Sequence, residues 1–192
     1  MSGPFTIGAA ILAGGRATRL GGELKGLIQL PSGETIIERL LPEFALAGFP
    51  DPIICSADHT EYACLGKALV PDQVPGIGPL GGIAAALEYY FGSTDAVLFS
   101  PCDMPKLTAY ELTRLVDEFQ ATAAQIVVAE TCQNAWHPLC SVVHIDVLAA
   151  VGKAITAQRF SVHQLWRTLN ATAVEFTGEG AFTNINTPAD FV

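Results

Sequence analysis

Apolar runs and glycine- or proline-rich breaks alternate along the chain. Residues 5–12 are mostly apolar and long enough for one buried strand. Residues 27–30 are short and extended, and 31–34 form a turn. Ile36, Ile37, Leu40, Leu41 and Phe44 then recur at helical spacing, which predicts a helix over 35–47. Gly48 closes it, and Pro42 should bend or split it. Strands over 52–55 and 68–70 flank a short helix over 60–65. A largely apolar helix begins near Gly82 and runs to Phe91, where Gly92 ends it. Residues 95–100 make the clearest strand in the chain. Thr108 and Glu111 form a capping box before a helix whose buried stripe is Leu112, Leu115, Val116 and Phe119. Beyond it come a strand over 125–129, a polar turn over 130–135, and a strand over 139–143. A helix over 144–151, ended by Gly152, follows, then a Ser161-capped helix over 162–169 and a strand over 172–176. His163 and Arg167 lie four residues apart on that helix and are expected to be exposed. Thr187 caps a last helix, with Pro188 in its first turn.

Short buried strands followed by helices point to a parallel sheet covered on both faces. The short connection between 125–129 and 139 adds antiparallel strands, expected near Leu139 and Val174. The fold expected is thus a single three-layer Rossmann-like α/β domain over residues 1–192, mainly parallel, with some antiparallel strands in its C-terminal half. Half of the 192 residues are apolar and 15% are charged, which argues for a well-buried core and against disorder. Nineteen acids against ten bases give a formal charge of −9, so the chain has no global attraction for nucleic acid or anionic lipid. Three of those ten bases fall between Arg16 and Lys25. The five cysteines show no C-x-x-C spacing and lie mostly in apolar runs, which suits reduced, mostly buried thiols. No signal peptide and no bilayer-length apolar stretch are apparent, so a cytoplasmic location is expected.

The candidate chemistry starts in residues 13–26, a loop holding five glycines, two arginines and a lysine directly after the first strand. Glycines let backbone N–H groups approach an anion closely. The loop fits neither the P-loop nor the dinucleotide fingerprint: Lys25 is preceded by Leu24 and followed by Gly26, and Gly14-Gly15 lacks the G-x-G-x-x-G spacing. By itself it also fits a glycine-rich surface turn. Gly78-Pro79-Leu80-Gly81-Gly82 opens a helix whose first N–H groups have no intrahelical partner, a ready site for an anion or a base edge. Asp103 follows the clearest strand, where open α/β sheets bind ligands, and its carboxylate suits an oxygen-only magnesium site. His137 precedes Pro138 and equally fits a residue that fixes a turn.

These residues resemble the molybdenum cofactor guanylyltransferases, a family within the Rossmann-like nucleotidyltransferases. The resemblance rests on five motifs in order: Leu12-Ala13-Gly14-Gly15 with Arg19-Leu20-Gly21-Gly22 and Lys25-Gly26-Leu27; Asp72 with Gly78-Pro79-Leu80-Gly81-Gly82; Cys102-Asp103-Met104-Pro105; His137-Pro138; and Phe182-Thr183-Asn184-Ile185-Asn186-Thr187-Pro188-Ala189-Asp190. It spans about Ile7 to Asp190. The chain departs from the family at Leu24, where an acid usually precedes the lysine, and at Leu20, where methionine is usual.

The resemblance implies transfer of GMP from GTP to the terminal phosphate of molybdopterin or molybdenum cofactor, releasing pyrophosphate. It implies that Arg19 and Lys25 hold the triphosphate, with Leu12, Ala13, Gly14 and Gly15 lining the nucleotide. It further implies that Asp72, Gly81 and Gly82 read guanine, with Ser56 or Asp58 near the base. Asp103 resembles the residue that holds Mg²⁺. On the acceptor side it points to His137, Arg159 and Asn184. The N-terminal half is then the nucleotide-binding half and the C-terminal half the acceptor-binding one. Molybdenum-insertion proteins and apo-molybdoenzymes are the partners it suggests, with no nucleic acid and no membrane. A related cytidylyl- or sugar-phosphate nucleotidyltransferase, or a non-enzymatic protein that delivers nucleotide or cofactor, fits the same residues.

Overall fold

The structure, a computed structural model, describes residues 4–14, 16–17, 23–57, 59–72, 74–132 and 135–185. Gly15, Arg19, Leu20, Gly21, Gly22, Asp58 and the helix expected after Thr187 lie outside the described residues.

In chain order the strands are β1 (Ile7–Leu12), β2 (Arg16–Ala17), β3 (Glu23–Leu24), β4 (Ile53–Cys55), β5 (Leu69–Val70), β6 (Ala96–Pro101), β7 (Ile126–Thr131), β8 (Ala135–His144) and β9 (Thr172–Glu175). The helices are α1 (Ile36–Leu46), α2 (Pro79–Tyr90), α3 (Ala109–Ala121), α4 (Leu148–Thr156) and α5 (Val162–Thr168). Seven strands make one sheet in the order β5-β4-β1-β6-β8-β7-β9. β8 alone runs against its neighbours β6 and β7; the other pairings are parallel. β2 and β3 pair antiparallel outside this sheet and bring the two ends of the glycine loop together.

Because successive side chains of a strand point to opposite faces, the apolar strands feed two cores. On one face Ile11, Ile54 and Leu98 pack against Ile36, Leu40 and Phe44 of α1 and Leu112, Leu115 and Phe119 of α3. On the other, Leu12, Cys55 and Phe99 pack against Leu80, Ile83 and Leu87 of α2, Val151 of α4 and Trp166 of α5. Thr35 caps α1 with Glu38 in a reciprocal box, and Thr108 does the same for α3 with Glu111.

Five local expectations are corrected. α1 is not split at Pro42 but continuous through it. α2 begins at Pro79, not near Gly82: Gly78 takes φ +74°, and proline suits the first helical position because its missing N–H is not needed there. α4 runs through Gly152 and starts only after a 3-10 turn at Ile145–Val147. A helical glycine costs only about 1 kcal/mol relative to alanine, and the buried Val151 and Ala154 on either side hold this one. β7 extends to Thr131 and β8 starts at Ala135, so Trp136, His137 and Pro138 lie within a strand. The register breaks between Val128, paired to Ser141, and Ala129, paired to His137, which places Pro138 in the irregularity where no ladder N–H is required. Finally, Val174 is on a strand parallel to β7, because two helices, α4 and α5, separate it from β8 and restore its direction.

Candidate active site

The C-terminal ends of β1, β4 and β6 and the start of α2 enclose a cavity of 430 Å³. Asp72 lies toward the β5 side, Lys25 and Asp103 at the ends of the glycine loop and β6, and Leu139 of β8 beyond them. The cavity therefore runs across the sheet on the face covered by α2.

Lys25 Nζ donates to Asp103 Oδ2 at 2.9 Å, with both side chains mostly shielded. Each is set by backbone. Lys25 opens a 3-10 turn, Lys25–Leu27. Tyr62, fully buried, donates its hydroxyl to the Ala13 carbonyl at 3.1 Å. A Cβ on Gly26 would stand 2.9 Å from the same hydroxyl, so only glycine fits there. Tyr62 thus touches the chain on both sides of the glycine loop. Asp103 follows Cys102, whose N–H donates to Leu12 O at 3.0 Å, and the Asp103 carbonyl accepts from Ile185 N–H at 2.8 Å. Cys102 is buried in the core, as expected, and desolvation, then the nearby Asp103 charge, push its thiol up to about 12.

At the other end the Asp72 carboxylate sits among glycines. A Cβ on Gly82 would stand 3.0 Å from Leu12 Cδ2 and 3.3 Å from Asp72 Oδ1, and one on Gly14 would stand 3.4 Å from Oδ2. Asp72 Oδ1 is buried and accepts no hydrogen bond from the described residues. Desolvation raises the Asp72 pKa above its ordinary value. Burial, then the Asp72 charge, likewise keep the Cys55 thiol protonated. Cys55 and Ala57 line the cavity, whereas Ser56 is fully buried and does not, as alternation along a strand requires.

The remaining candidates, His137, Asn184 and Arg159, do not line this cavity. His137 stacks on Phe182 with ring centroids 4.7 Å apart, and its Nε2 lies 3.0 Å from the Thr131 hydroxyl. Burial lowers its pKa, against a raising influence from Glu179. Asn184 is exposed and directly precedes Ile185, which is tied to the Asp103 backbone. Arg159 is exposed beyond α4 and outside the cavity lining. Leu12, Gly14, Lys25, Asp72, Gly82 and Asp103 therefore share one cavity; Ala13 and Gly81 do not line it, though a Cβ on Gly81 would stand 3.6 Å from Asp72 Oδ2. Reading the sequence missed Cys55, Ala57, Leu139 and Tyr62. Tyr62 follows Glu61 in a stretch with no local signal of its role.

Among the described residues no group of three or more His, Cys, Asp or Glu side chains converges on a metal position. Asp103, the carboxylate at the β6 end of the cavity, still fits Mg²⁺, which keeps several waters and is usually held by one or two carboxylates plus substrate phosphates.

Comparison with known proteins places the chain in a family and matches its fold. The family described as MobA-like NTP transferase domain matches residues 9–172. A molybdenum cofactor guanylyltransferase of Yersinia pestis (strain Pestoides F) is 30% identical over 191 residues, covering 96% of this chain and 92% of that protein. The molybdopterin-guanine dinucleotide biosynthesis protein A of Archaeoglobus fulgidus superposes with a TM-score of 0.78 at 22% identity, covering 95% of this chain and 94% of its own. A Mycobacterium tuberculosis protein solved in complex with manganese superposes with a TM-score of 0.70 at 18% identity, over 97% of this chain and 96% of its own. With the family model matched over residues 9–172 and a 30% identical relative covered over most of its length, the chain belongs to the MobA-like NTP transferase family.

Proposed function

We propose that the protein transfers GMP from GTP to the terminal phosphate of molybdopterin or molybdenum cofactor, giving the guanine dinucleotide form and pyrophosphate. One observation carries this reading: a single cavity holds a buried, unpartnered carboxylate oxygen on Asp72 at one end and the Lys25–Asp103 pair at the other. Guanine offers an N1–H and an amino group side by side, and a carboxylate accepts both. Adenine presents no such donor pair. The triphosphate then extends toward Lys25, with Arg19 as a second cation from the same loop.

In the transfer, an oxygen of the acceptor phosphate bonds to the α-phosphorus of GTP. The bond from that phosphorus to the bridging oxygen breaks, and pyrophosphate leaves. The attacking oxygen is already anionic, so no side chain need become a covalent nucleophile. The chain's work is alignment and charge stabilisation. Lys25 supplies positive charge where the leaving group forms. The Gly14 and Gly82 backbones allow the nucleotide to lie close to Leu12 and Asp72. Asp103 is the residue that would hold Mg²⁺, which when bound neutralises charge on the triphosphate. His137, Asn184 and Arg159 are assigned to the acceptor side, and the product passes to molybdenum-insertion proteins or apo-molybdoenzymes. Five free cysteines, two of them exposed, suit a reducing compartment, and we place the protein in the cytoplasm.

The test is calorimetric titration with GTP, ATP and CTP in Mg²⁺, followed by pyrophosphate release with molybdopterin. Selective GTP binding with molybdopterin-dependent release is expected. Preference for CTP reassigns the protein to cytidylyl transfer, and GTP binding without release makes it a carrier.

A further inference from the structure

Beyond the cavity, past Leu139, lies a group of side chains to which the transfer above gives no role. Trp136 of β8 donates its indole N–H to Glu130 Oε1 of β7 at 2.8 Å. The Arg167 guanidinium of α5 lies over the same indole, 3.6 Å from its centroid. His163, one turn earlier on α5, meets the ring edge-on at 5.8 Å. Helix α5 is itself pinned to the strand, because Trp166 is fully buried and donates its indole N–H to Pro138 O at 2.9 Å. The arrangement is built in layers: Glu130, almost fully buried, fixes the indole, and the guanidinium rests over the indole.

Its place in the fold is what gives it meaning. The sheet order takes the cavity from Asp72 after β5, across β4 and β1, to Asp103 after β6 and Leu139 on β8. Trp136 and Leu139 both pack on the core beneath α2, α4 and α5, so they share a face of the sheet with the cavity. At about 3.3 Å per residue, Trp136 lies no more than roughly 10 Å along β8 from Leu139. The cavity thus crosses the sheet to Leu139, and this group lies beside that end of it, displaced along β8 toward the strand's start. An acceptor whose phosphate reaches the α-phosphorus near Lys25 and Asp103 extends its other end in this direction.

The chemistry selects which part of the acceptor belongs here. Arg167 makes no ion pair among the described residues, although the chain as a whole carries a formal charge of −9. With one face of its guanidinium against the indole, its N–H groups remain available in the ring plane as a fork. The Glu130 carboxylate, at the N–H edge of the same indole, disfavours a second full negative charge nearby. A neutral, planar edge with adjacent carbonyl oxygen and ring nitrogen meets both conditions. We propose that Arg167, held flat by Trp136 and Glu130, is a specificity residue that binds the pterin edge of the acceptor. This assignment rests on the transfer reading above. Arg167 is the contact residue; Trp136 and Glu130 are positioning residues.

The experiment is steady-state pyrophosphate release with GTP and molybdopterin, alongside calorimetric GTP affinity, for wild type, Arg167→Ala, Arg167→Lys, Trp136→Leu and Glu130→Gln. Arg167→Ala should raise the KM for molybdopterin about ten-fold or more, the lower end for losing a charge-assisted hydrogen bond. Its kcat and GTP affinity should stay near wild type. Arg167→Lys should fail to restore the KM, because a lysine offers charge without a flat fork. Trp136→Leu should reproduce the Arg167→Ala effect, and Glu130→Gln should not, since the amide oxygen still accepts from the indole. Arg167 is exposed, so its variants should fold. If wild type turns over and Arg167→Ala keeps its molybdopterin KM, the pterin assignment is overturned while the transfer reading stands. If wild type binds GTP but releases no pyrophosphate with molybdopterin, both are overturned.

Discussion

Lys25 and Asp103 meet at 2.9 Å across the mouth of the cavity, one from the glycine loop after β1 and the other from the end of β6. Seventy-eight residues apart in sequence, they become neighbours because β1 and β6 pair in parallel along their whole length. The pair is partly exposed, so by itself it contributes about 0–1 kcal/mol to stability. Its value is positional: it holds a cation and a carboxylate where the proposed transfer places the triphosphate.

Asp103→Ala should therefore abolish pyrophosphate release at every Mg²⁺ concentration. Lys25→Met should lower kcat by about 10²–10³, the size of effect seen when a preorganised charge-stabilising group is removed. Thermal midpoints of both variants should lie within roughly 2–4 °C of wild type, since that is what about 1 kcal/mol is worth in a domain of this size. Wild-type activity in Asp103→Ala sinks the metal assignment.

Asp72→Asn should separate stability from recognition. The desolvated carboxylate has a raised pKa, so the folded state binds its proton more tightly than the unfolded chain does. The penalty is absent well below the ordinary carboxylate pKa and grows as pH rises through the raised value. At neutral pH, Asp72→Asn should thus be more stable than wild type, by about 2–4 °C if about 1 kcal/mol is relieved. The gain should vanish in acid. GTP should lose its advantage over ATP in the same variant; retained selectivity in calorimetry would count against base reading.

Tyr62→Phe removes the one hydroxyl that, among the described residues, donates to the buried Ala13 carbonyl. An unpaired buried carbonyl costs about 1–3 kcal/mol. A lower denaturation midpoint and a raised KM for GTP are expected, with GTP-over-ATP selectivity intact because Asp72 is untouched. Gly26→Ala should be worse, since its Cβ would meet the Tyr62 ring as well as its hydroxyl. The double variant should recover part of that loss, measured as a coupling free energy in denaturant.

His137 carries an acid-side signature. Burial lowers its pKa in the folded state, so the unfolded chain takes up the proton first as pH falls. Stability is complete above the ordinary histidine pKa and declines as pH drops through it toward the lowered value. His137→Gln should flatten that decline in urea midpoints measured between pH 7.5 and 5. An unchanged slope would mean the histidine titrates as it does in the unfolded chain.

Local order in the sequence determined much of this protein. Strand–loop–helix alternation announced a parallel sheet with helices on both faces, because a strand buried on both sides must be apolar throughout. The capping box at Thr108 was legible because it is a short-range pattern. Three of the five motifs hold residues that share one cavity: Lys25, Asp72, Gly82 and Asp103 each follow or precede an apolar run, and such runs end at the same edge of a parallel sheet. What the sequence could not hold was long-range. That α1 passes through Pro42 depends on the core that Ile36, Leu40 and Phe44 fill. The parallel direction of β9 depends on how two helices pack across the sheet. Tyr62 reaches Ala13, forty-nine residues away, and Arg167 lies flat on Trp136, because strand pairing and helix docking bring distant segments within hydrogen-bond or ring contact. Side chains that act across such contacts leave no spacing to read; the tertiary structure decides them, because only packing sets the distances on which their chemistry depends.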